Sequence, residues 1–415
     1  GDDMRQIRYA QIIGWGKYVP AKVLTNDDLS HMVDTSDEWI RSRTGIRERR
    51  TASDKESAAT MAVRAAEQAL AVANCDPEAI DLIIVATATP DYLFPATACL
   101  VQDALGAARA GAYDLAAGCS GFVYGVSMAA DGIAAGTYDT ALVIGTEVLS
   151  RIVDWTDRAT CVLFGDGAGA IVLRATSTPC GVLASVLGAD GSGSNLLYLP
   201  NSGFKEPVTA ESRNSTVPTV HMNGNEIYRF ATRTMGQASQ QVIRKAGLTL
   251  DQIDLLIPHQ ANLRIIQSAA KQLKLPEEKV FVNLDRYGNT SAASIPIALC
   301  EAVESGRLQA GNHVVLTAFG AGLTWGANVI RWQPLPVEAQ RSRWATFRRW
   351  IQLRLAPLYS LLRRLLRRAD AVVGEVTGDT EASGSKPAAP ARKRATERST
   401  PDADSGQQPT DNNKP

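Results

Sequence analysis

Runs of β-branched apolar residues alternate with alanine-rich stretches from the amino end to about Trp332. Short unbroken apolar runs suit strands covered on both faces, and the stretches between them have helical spacing. The pattern therefore predicts an α/β protein. Within it the order repeats. "CDPEAIDLIIVATATP" is echoed by "LTLDQIDLLIPHQANL", which sets Ile80 against Ile253, 173 residues on. "YDTALVIGTEVLS" is echoed by "GNHVVLTAFGAGLT", which sets Leu142 against Val314, 172 residues on. Between these pairs lie "YDLAAGCSG" and "VNLDRYGNTS", each predicted to be a short strand, a small-residue turn and a helix. Repeated order at a nearly constant offset indicates an internal duplication, with one half over residues 5–180 and the other over 181–333. If the halves face each other across a pseudo-dyad, the turn with Cys119 lies near the turn with Asn289. His259 then stands at the carboxyl end of its strand, where ligands of α/β sheets gather.

Past Trp332 the pattern changes. In "RSRWATFRRWIQLRLAPLYSLLRRLLRRAD", Trp344, Phe347, Ile351, Leu355, Leu358, Leu362 and Leu365 recur at three and four residues. Arginines flank them and no acid occurs before Asp370. This predicts a basic amphipathic helical extension over 334–377, with Pro357 as the place for a kink. Such a face suits adsorption to an anionic membrane through 341–368. It also suits docking on this protein's own body or on a partner. From Gly378 onward the chain is polar and lacks aromatics, the composition of a disordered tail over 378–415.

Composition narrows the class. The 415 residues are 45% hydrophobic and 21% charged, enough for two core-bearing units. A formal net charge of zero gives no electrostatic case for a nucleic-acid partner. Cys75, Cys99, Cys119, Cys161, Cys180 and Cys300 are scattered and form no CxxC or Cys/His cluster, so no metal is expected. No secretory signal precedes them, and free thiols in a reducing cytoplasm are the expectation. No apolar run reaches the roughly 18 residues of a membrane span. The opening "GDDM" has the look of a cloning remnant ahead of Met4.

Candidate chemistry begins at Cys119. A thiol among small residues is either a packed core group or a nucleophile with cleared space. A helix beginning at it would favour the thiolate. Of four histidines, His31, His221 and His313 read as solvated or packed. His259, in "IPHQANLRI", follows a buried strand and is either a satisfied core histidine or a polar participant. Asn289 in "YGNTSAAS" reads as a turn residue, a cap or a third participant. In "FGAGLTWG" the backbone N–H groups of Gly320, Ala321 and Gly322 either serve a glycine turn or face a developing oxyanion. "FGDGAGAIVL" does not read as a nucleotide loop, because it leads into a strand instead of opening a helix.

"VDTSDEWIRSRTGIRERR", "FGDGAGA", "PHQANLRI", "GNTSAASIP" and "FGAGLTWG" stand in family order from about Ile7 to Trp332. Together they resemble 3-oxoacyl-[acyl-carrier-protein] synthase III, the initiating condensing enzyme of bacterial fatty-acid synthesis. The resemblance implies a thiolase-like, five-layered, duplicated α/β fold, usually in a homodimer, and an acyltransferase without a cofactor. It implies a catalytic triad of Cys119, His259 and Asn289. An acyl-CoA primer would acylate Cys119, and malonyl-acyl carrier protein would then lose carbon dioxide and attack the acyl group. His259 and Asn289 would stabilise the enolate-like oxygen, and the backbone N–H groups of Cys119 and Ala321 the acyl oxyanion. The resemblance puts Trp39, Arg43 and Arg158 on coenzyme A and Asn262 and Gly224 along its pantetheine arm. Arg264, with Arg229 and Lys271, would meet the acidic carrier protein; solvated surface charge is the plain alternative for each arginine. Phe94 would reach across a dimer to floor the partner's acyl pocket, with core packing as its alternative. Biosynthetic thiolases carry a second cysteine where "FGAGLTWGA" has none, and elongating synthases a second histidine where Asn289 stands. Chalcone-synthase-like enzymes have different flanking motifs. A secondary-metabolite condensing enzyme or acyltransferase of the same family remains the alternative, and the acyl primer stays open.

Overall fold

Strands form at the apolar runs and sort into two large sheets. The computed structural model describes residues 7–200, 205, 218–335 and 343–377, the last helix by backbone alone at 343–350 and 370–377. "GDDM" and the tail from Gly378 lie outside the described residues. The first sheet has the order β1 (Tyr9–Tyr18), β7 (Gly167–Thr176), β6 (Thr140–Glu147), β4 (Leu82–Ala86), β5 (Gly111–Leu115). The second has the order β8 (Gly181–Ala189), β13 (Thr324–Arg331), β12 (His313–Gly320), β11 (Leu255–Pro258). Two ribbons, β2 (Lys22–Thr25) with β3 (Glu48–Thr51) and β9 (Leu197–Tyr198) with β10 (His221–Met222), complete the set.

The two sheets repeat one plan. β1 and β6 each run antiparallel to β7, and β4 runs parallel to both β6 and β5. In the second sheet β8 and β12 run antiparallel to β13, and β11 runs parallel to β12. The offset is 173 residues: β6 starts at Thr140 and β12 at His313, and the pairs Leu82–Ala141 and Leu255–Val314 correspond. Val314 therefore matches Ala141, and the sequence reading that set it against Leu142 was one residue out. The same side chain secures both joints. Asp81 Oδ2 accepts from the Thr140 N–H at 3.0 Å, and Asp254 Oδ2 accepts from the His313 N–H at 2.8 Å. One expectation fails. "VNLDRYGNTS" has no strand: a lone parallel bridge between Leu256 and Val280 precedes it, a short helix, Leu284–Tyr287, lies within it, and Asn289 makes a second isolated parallel bridge with Phe164. Side chains take the place of the ladder there: Asn283 N–H donates to Gln260 Oε1 and Asn283 Nδ2 to Glu301 Oε2, both at 3.0 Å.

Three apolar cores hold five layers together. Helices Ala58–Ala73 and Thr97–Leu105 cover one face of the first sheet with Met61, Leu70 and Val101 against Ile83, Val85 and Ile144. Helices Gly121–Ala134 and Ser294–Glu304 lie between the sheets, with Phe122 and Leu299 in one core with Ile84, Val143, Leu316 and Ile330. Helices Gly224–Lys245 and Leu263–Gln272 cover the far face of the second sheet, with Val242 and Ile266 against Leu256 and Val329. Adjacent residues of one strand, such as Ile83 and Ile84, thus enter different cores, which is why the strands read as unbroken apolar runs. Each such aliphatic side chain contributes about 1.5–3 kcal/mol by its burial.

Contacts divide the chain into a compact unit ending at Leu362 and a second unit, whose described part is the helix from Arg363 to Thr377. The helix begins at Arg343 and holds Pro357 inside it instead of ending there. Within the first unit one face of this helix docks on the body. Leu353 joins the core of the Ala58–Ala73 layer, Ala356 is buried against Gly106, and Ser360 Oγ donates to Asp103 Oδ2 at 2.6 Å. Trp344 and Phe347, which open the predicted stripe, lie outside the described side chains.

Candidate active site

Cys119 lies in a single 3-10 turn, Gly118–Ser120, between β5 and the buried helix Gly121–Ala134. Gly118 has φ +52°, and a Cβ on it would meet Ala321 N at 2.8 Å. A Cβ on Gly320 would meet Cys119 N at 2.6 Å. Two glycines therefore let the Cys119 turn and the β12–β13 turn close on each other, backbone to backbone. Thr324 fastens the pair, its Oγ1 2.9 Å from Ala117 O and 3.1 Å from Ala321 O. The Cys119 N–H falls in the first turn of a helix, which has no intrahelical acceptor for it. The Ala321 N–H lies beyond the last ladder pair, Gly320–Thr324.

The duplicated half provides a comparison inside the same chain. At an offset of 173, Ala292 matches Cys119, Val148 matches Ala321 and Glu147 matches Gly320. There the two amides are occupied: the Glu147 carboxylate accepts from the Ala292 N–H, and Thr89 Oγ1 accepts from the Val148 N–H at 2.8 Å. Ser291, counterpart of Gly118, keeps its left-handed conformation at φ +48°. One half thus fills the amide pair with a carboxylate and a hydroxyl. The other puts Gly320 where that carboxylate stands, with no side chain to fill the pair.

An almost wholly apolar cavity of about 100 Å³ meets this pair, with Cys119, Ser291 and Ala321 in its wall beside Leu149, Val153 and Phe164. His259 and Asn289 do not line it. A larger open groove of about 780 Å³ past Arg8, Asp131 and Lys245 contains none of the predicted site residues. Burial pushes the Cys119 thiol up to about 12; a hydrogen bond with Ser291 opposes this and the Glu147 charge adds to it. The sequence expectation of a lowered thiol is overturned, because desolvation outweighs one helix terminus.

His259 follows β11 and is 1% exposed. Its N–H donates to Thr317 O at 2.8 Å, and its Nδ1 lies 2.7 Å from Ser294 Oγ. Ser294 Oγ also accepts from the Gln260 N–H at 3.4 Å, and a Ser294 hydroxyl that donates to Nδ1 would leave the ring proton on Nε2. Nε2 is buried without a partner, and the ring meets Phe319 edge-on at 5.4 Å. Burial lowers the imidazole to about 3, so the ring is neutral at working pH. Asn289 is held by two backbone bonds, its N–H to Leu163 O at 2.8 Å and the Gly165 N–H to its carbonyl at 3.0 Å. These pin it to Phe164 in the cavity wall. Its Oδ1 accepts from the Ser291 N–H at 2.8 Å, which leaves the amide NH2 as the donor. Ser291 thus joins Asn289 to Cys119, and Phe319 joins His259 to the Gly320–Ala321 turn.

The remaining predicted residues form two groups. Trp39 has two guanidinium groups at its ring, Arg158 at 4.9 Å and Arg43 at 5.6 Å from the centroid. Asn262 caps helix Leu263–Gln272 by accepting from the Arg264 N–H, and its Nδ2 donates to Arg43 O at 3.0 Å. Gly224 opens helix Gly224–Lys245, where an added Cβ would meet Met222 Cε at 3.8 Å. Arg264, Arg229 and Lys271 are exposed, with Arg264 5.4 Å from the Tyr228 ring. Phe94 is 83% exposed, which excludes core packing for it within one chain. Sequence reasoning missed Ser291, Ser294 and Glu147. The two serines stand in "GNTSAAS", the motif that yielded Asn289, but nothing in their spacing says which serine meets which side chain.

The chain is similar to known proteins over most of its length. Residues 113–191 match the family model described as 3-Oxoacyl-[acyl-carrier-protein (ACP)] synthase III, and residues 243–332 match its C-terminal counterpart. A beta-ketoacyl-[acyl-carrier-protein] synthase III of Symbiobacterium thermophilum is 59% identical over 327 residues, 79% of this chain and 99% of that protein. About a fifth of this chain thus has no counterpart in it. Among solved structures, 3-oxoacyl-[acyl-carrier-protein] synthase III of Aquifex aeolicus superposes with a TM-score of 0.73 at 49% identity, covering 78% of this chain and all of that one. The priming β-ketosynthase of the R1128 polyketide pathway superposes at 0.76 with 36% identity, covering 81% and all of that chain.

Proposed function

Since the chain belongs to the 3-oxoacyl-[acyl-carrier-protein] synthase III family, the initiating condensing enzymes of fatty-acid synthesis, we propose that Cys119, His259 and Asn289 carry that reaction here. The observation that supports this most is the pair of amides at Cys119 and Ala321, brought together beside an apolar cavity. In the other half the same pair is filled by Glu147 and Thr89.

In the first stage Cys119 Sγ attacks the thioester carbonyl of an acyl-CoA. The two amides take the oxyanion, the carbonyl–sulfur bond to CoA breaks, and the proton of the Cys119 thiol ends on the CoA sulfur. In the second stage malonyl-acyl carrier protein enters, and its carboxylate leaves as carbon dioxide. The electron pair collects on the thioester oxygen, toward which neutral His259 donates through Nε2–H and Asn289 through its amide NH2. The carbanion then attacks the acyl carbonyl, the bond from that carbonyl to Cys119 Sγ breaks, and the Cys119 thiolate takes a proton from solvent. These donors meet charge that exists only during reaction, so they lower the barrier without tightening ground-state binding. Trp39 with Arg43 and Arg158 presents an aromatic face with two positive charges, chemistry suited to the nucleotide end of coenzyme A. Arg264 and Lys271, two turns apart on one helix, with Arg229 on its neighbour, suit an acidic carrier protein. We place the reaction in the cytoplasm, in a homodimer joined in part by Phe94. The polyketide relative is less similar (36% against 59%), which favours fatty-acid synthesis over secondary metabolism.

Separate assays of the two half-reactions test the division of roles. Intact mass after exposure to acyl-CoA thioesters should show one acyl group on the wild-type protein and none on Cys119→Ser. His259→Ala and Asn289→Ala should keep acylation within about tenfold and lose about a hundredfold or more of malonyl decarboxylation. Equal loss of both steps in those variants would refute the assignment.

A further inference from the structure

The helix Arg343–Thr377 follows the catalytic motifs in the chain, and the body contacts of its described side chains Leu353, Ala356 and Ser360 share one face. Leu353, Ala356 and Ser360 point one way, at spacings of three and four. Leu358, Leu361, Leu362, Leu365 and Leu366 follow at three, one, three and one, which groups them within about 140° of the circumference on the opposite side. These five leucines are between 51% and 60% exposed, and Tyr359 beside them is 55% exposed. A row of large apolar side chains this open is not explained by the fold of one chain.

The charges along the same helix indicate the occupant. Nine arginines and no acid lie between Arg341 and Ala369. Arg363, Arg364, Arg367 and Arg368 take the positions flanking and opposing the leucine row. We infer that this leucine face with its arginines is a docking surface for an anionic phospholipid bilayer. The leucines enter the acyl boundary, while the arginine stems run along it and carry their guanidinium groups to phosphate. The helix lies on the surface and does not cross it: no helix among the described residues is long and apolar enough to span a membrane. A second copy of the same face is a poor occupant, because it would bring two sets of arginines within a Debye length of roughly 8 Å with no acid between them.

The test uses the full chain and the double variant Leu361→Ser/Leu365→Ser, whose sites are exposed and are not among the residues assigned to the chemistry. Both are sedimented with vesicles of phosphatidylcholine alone and of phosphatidylcholine with phosphatidylglycerol. The full chain should bind the anionic vesicles at least about tenfold more tightly than the neutral ones, and binding should weaken as salt rises. The variant should bind at least about tenfold more weakly while keeping its thermal midpoint and condensation rate. The inference is overturned if the full chain leaves anionic vesicles in the supernatant, if both vesicle types bind equally, or if the variant binds like the full chain. It is also overturned if the variant changes only the oligomeric state, which would give the face to a second copy.

Discussion

Two ionisable side chains at the centre of the site are held neutral, and both by burial. The Cys119 thiol is pushed up to about 12 and His259 down to about 3. A depressed histidine is neutral in the folded and unfolded states above about 6.5, so its stabilising contribution is complete there. As pH falls the unfolded chain takes up the proton first, and the contribution is lost between about 6.5 and 3, at about 1.4 kcal/mol per unit. The raised thiol has the opposite sign: its contribution is complete below its unfolded value and fades as pH rises toward about 12. Neither group titrates inside the usual working range. The malonyl decarboxylation step should therefore show no inflection near pH 6.5, and the His259 ring protons should hold their NMR shifts from pH 8 to pH 5. Ser294→Ala frees Nδ1 and lets the ring proton move to it. That variant should lose about tenfold or more of decarboxylation while acylation of Cys119 stays near wild type. A pH profile with an ionisation near 6.5 in the wild type would mean that His259 is charged at work.

At the scale of elements, the oxyanion pair depends on two turns meeting without side chains between them. Gly320→Ala puts a methyl group 2.6 Å from Cys119 N and 2.9 Å from Ser120 N, both backbone atoms that cannot move aside cheaply. Acylation by acyl-CoA should fall about 10²–10³-fold, the usual cost of losing one such donor. Circular dichroism and the thermal midpoint check that the sheet survives; wild-type acylation in this variant would remove the amide pair from the mechanism. The strands and the duplication behind this arrangement were legible in the sequence, because strands covered on both faces leave unbroken runs such as "LIIVA" and "LLIP". The candidate residues Cys119, His259 and Asn289 were legible through their motifs. Their relations were not. Ser291 and Ser294 are ordinary residues of a polar turn until the fold puts one at Cys119 and the other at His259. The thiol's shift was misread for a related reason: a helix terminus can be seen in a sequence, whereas the desolvation of one atom depends on everything packed around it. The C-terminal helix gave a mixed result. Its leucine face was legible as a stripe, but the docked face, through Ala356 and Ser360, was hidden because alanine and serine carry no hydrophobic signal.

At the scale of the molecule, large apolar side chains stand open beside the Cys119 cavity among the described residues. Tyr92, Leu93 and Phe94 are 59%, 64% and 83% exposed in consecutive positions. Beside them a groove of about 630 Å³ is lined by Ala88, Val148, Ile152 and Leu199, and three of these four also bound the Cys119 cavity. In the proposed homodimer a two-fold axis would apply this loop twice, each copy seating its Phe94 against the other's cavity rim. Burying one such aromatic contributes about 1.5–3 kcal/mol, and the symmetric pair doubles it. Phe94→Glu replaces both anchors with charges that burial strongly penalises. The variant should dissociate into monomers at micromolar concentration, measured by sedimentation velocity, and acylation should weaken with the dimer because the cavity loses its far wall. Forcing association by raising protein concentration should restore part of the rate, which a simple folding defect would not. A Phe94→Glu protein that stays dimeric would put the interface elsewhere, and a monomer with full activity would mean that one chain completes its own acyl pocket.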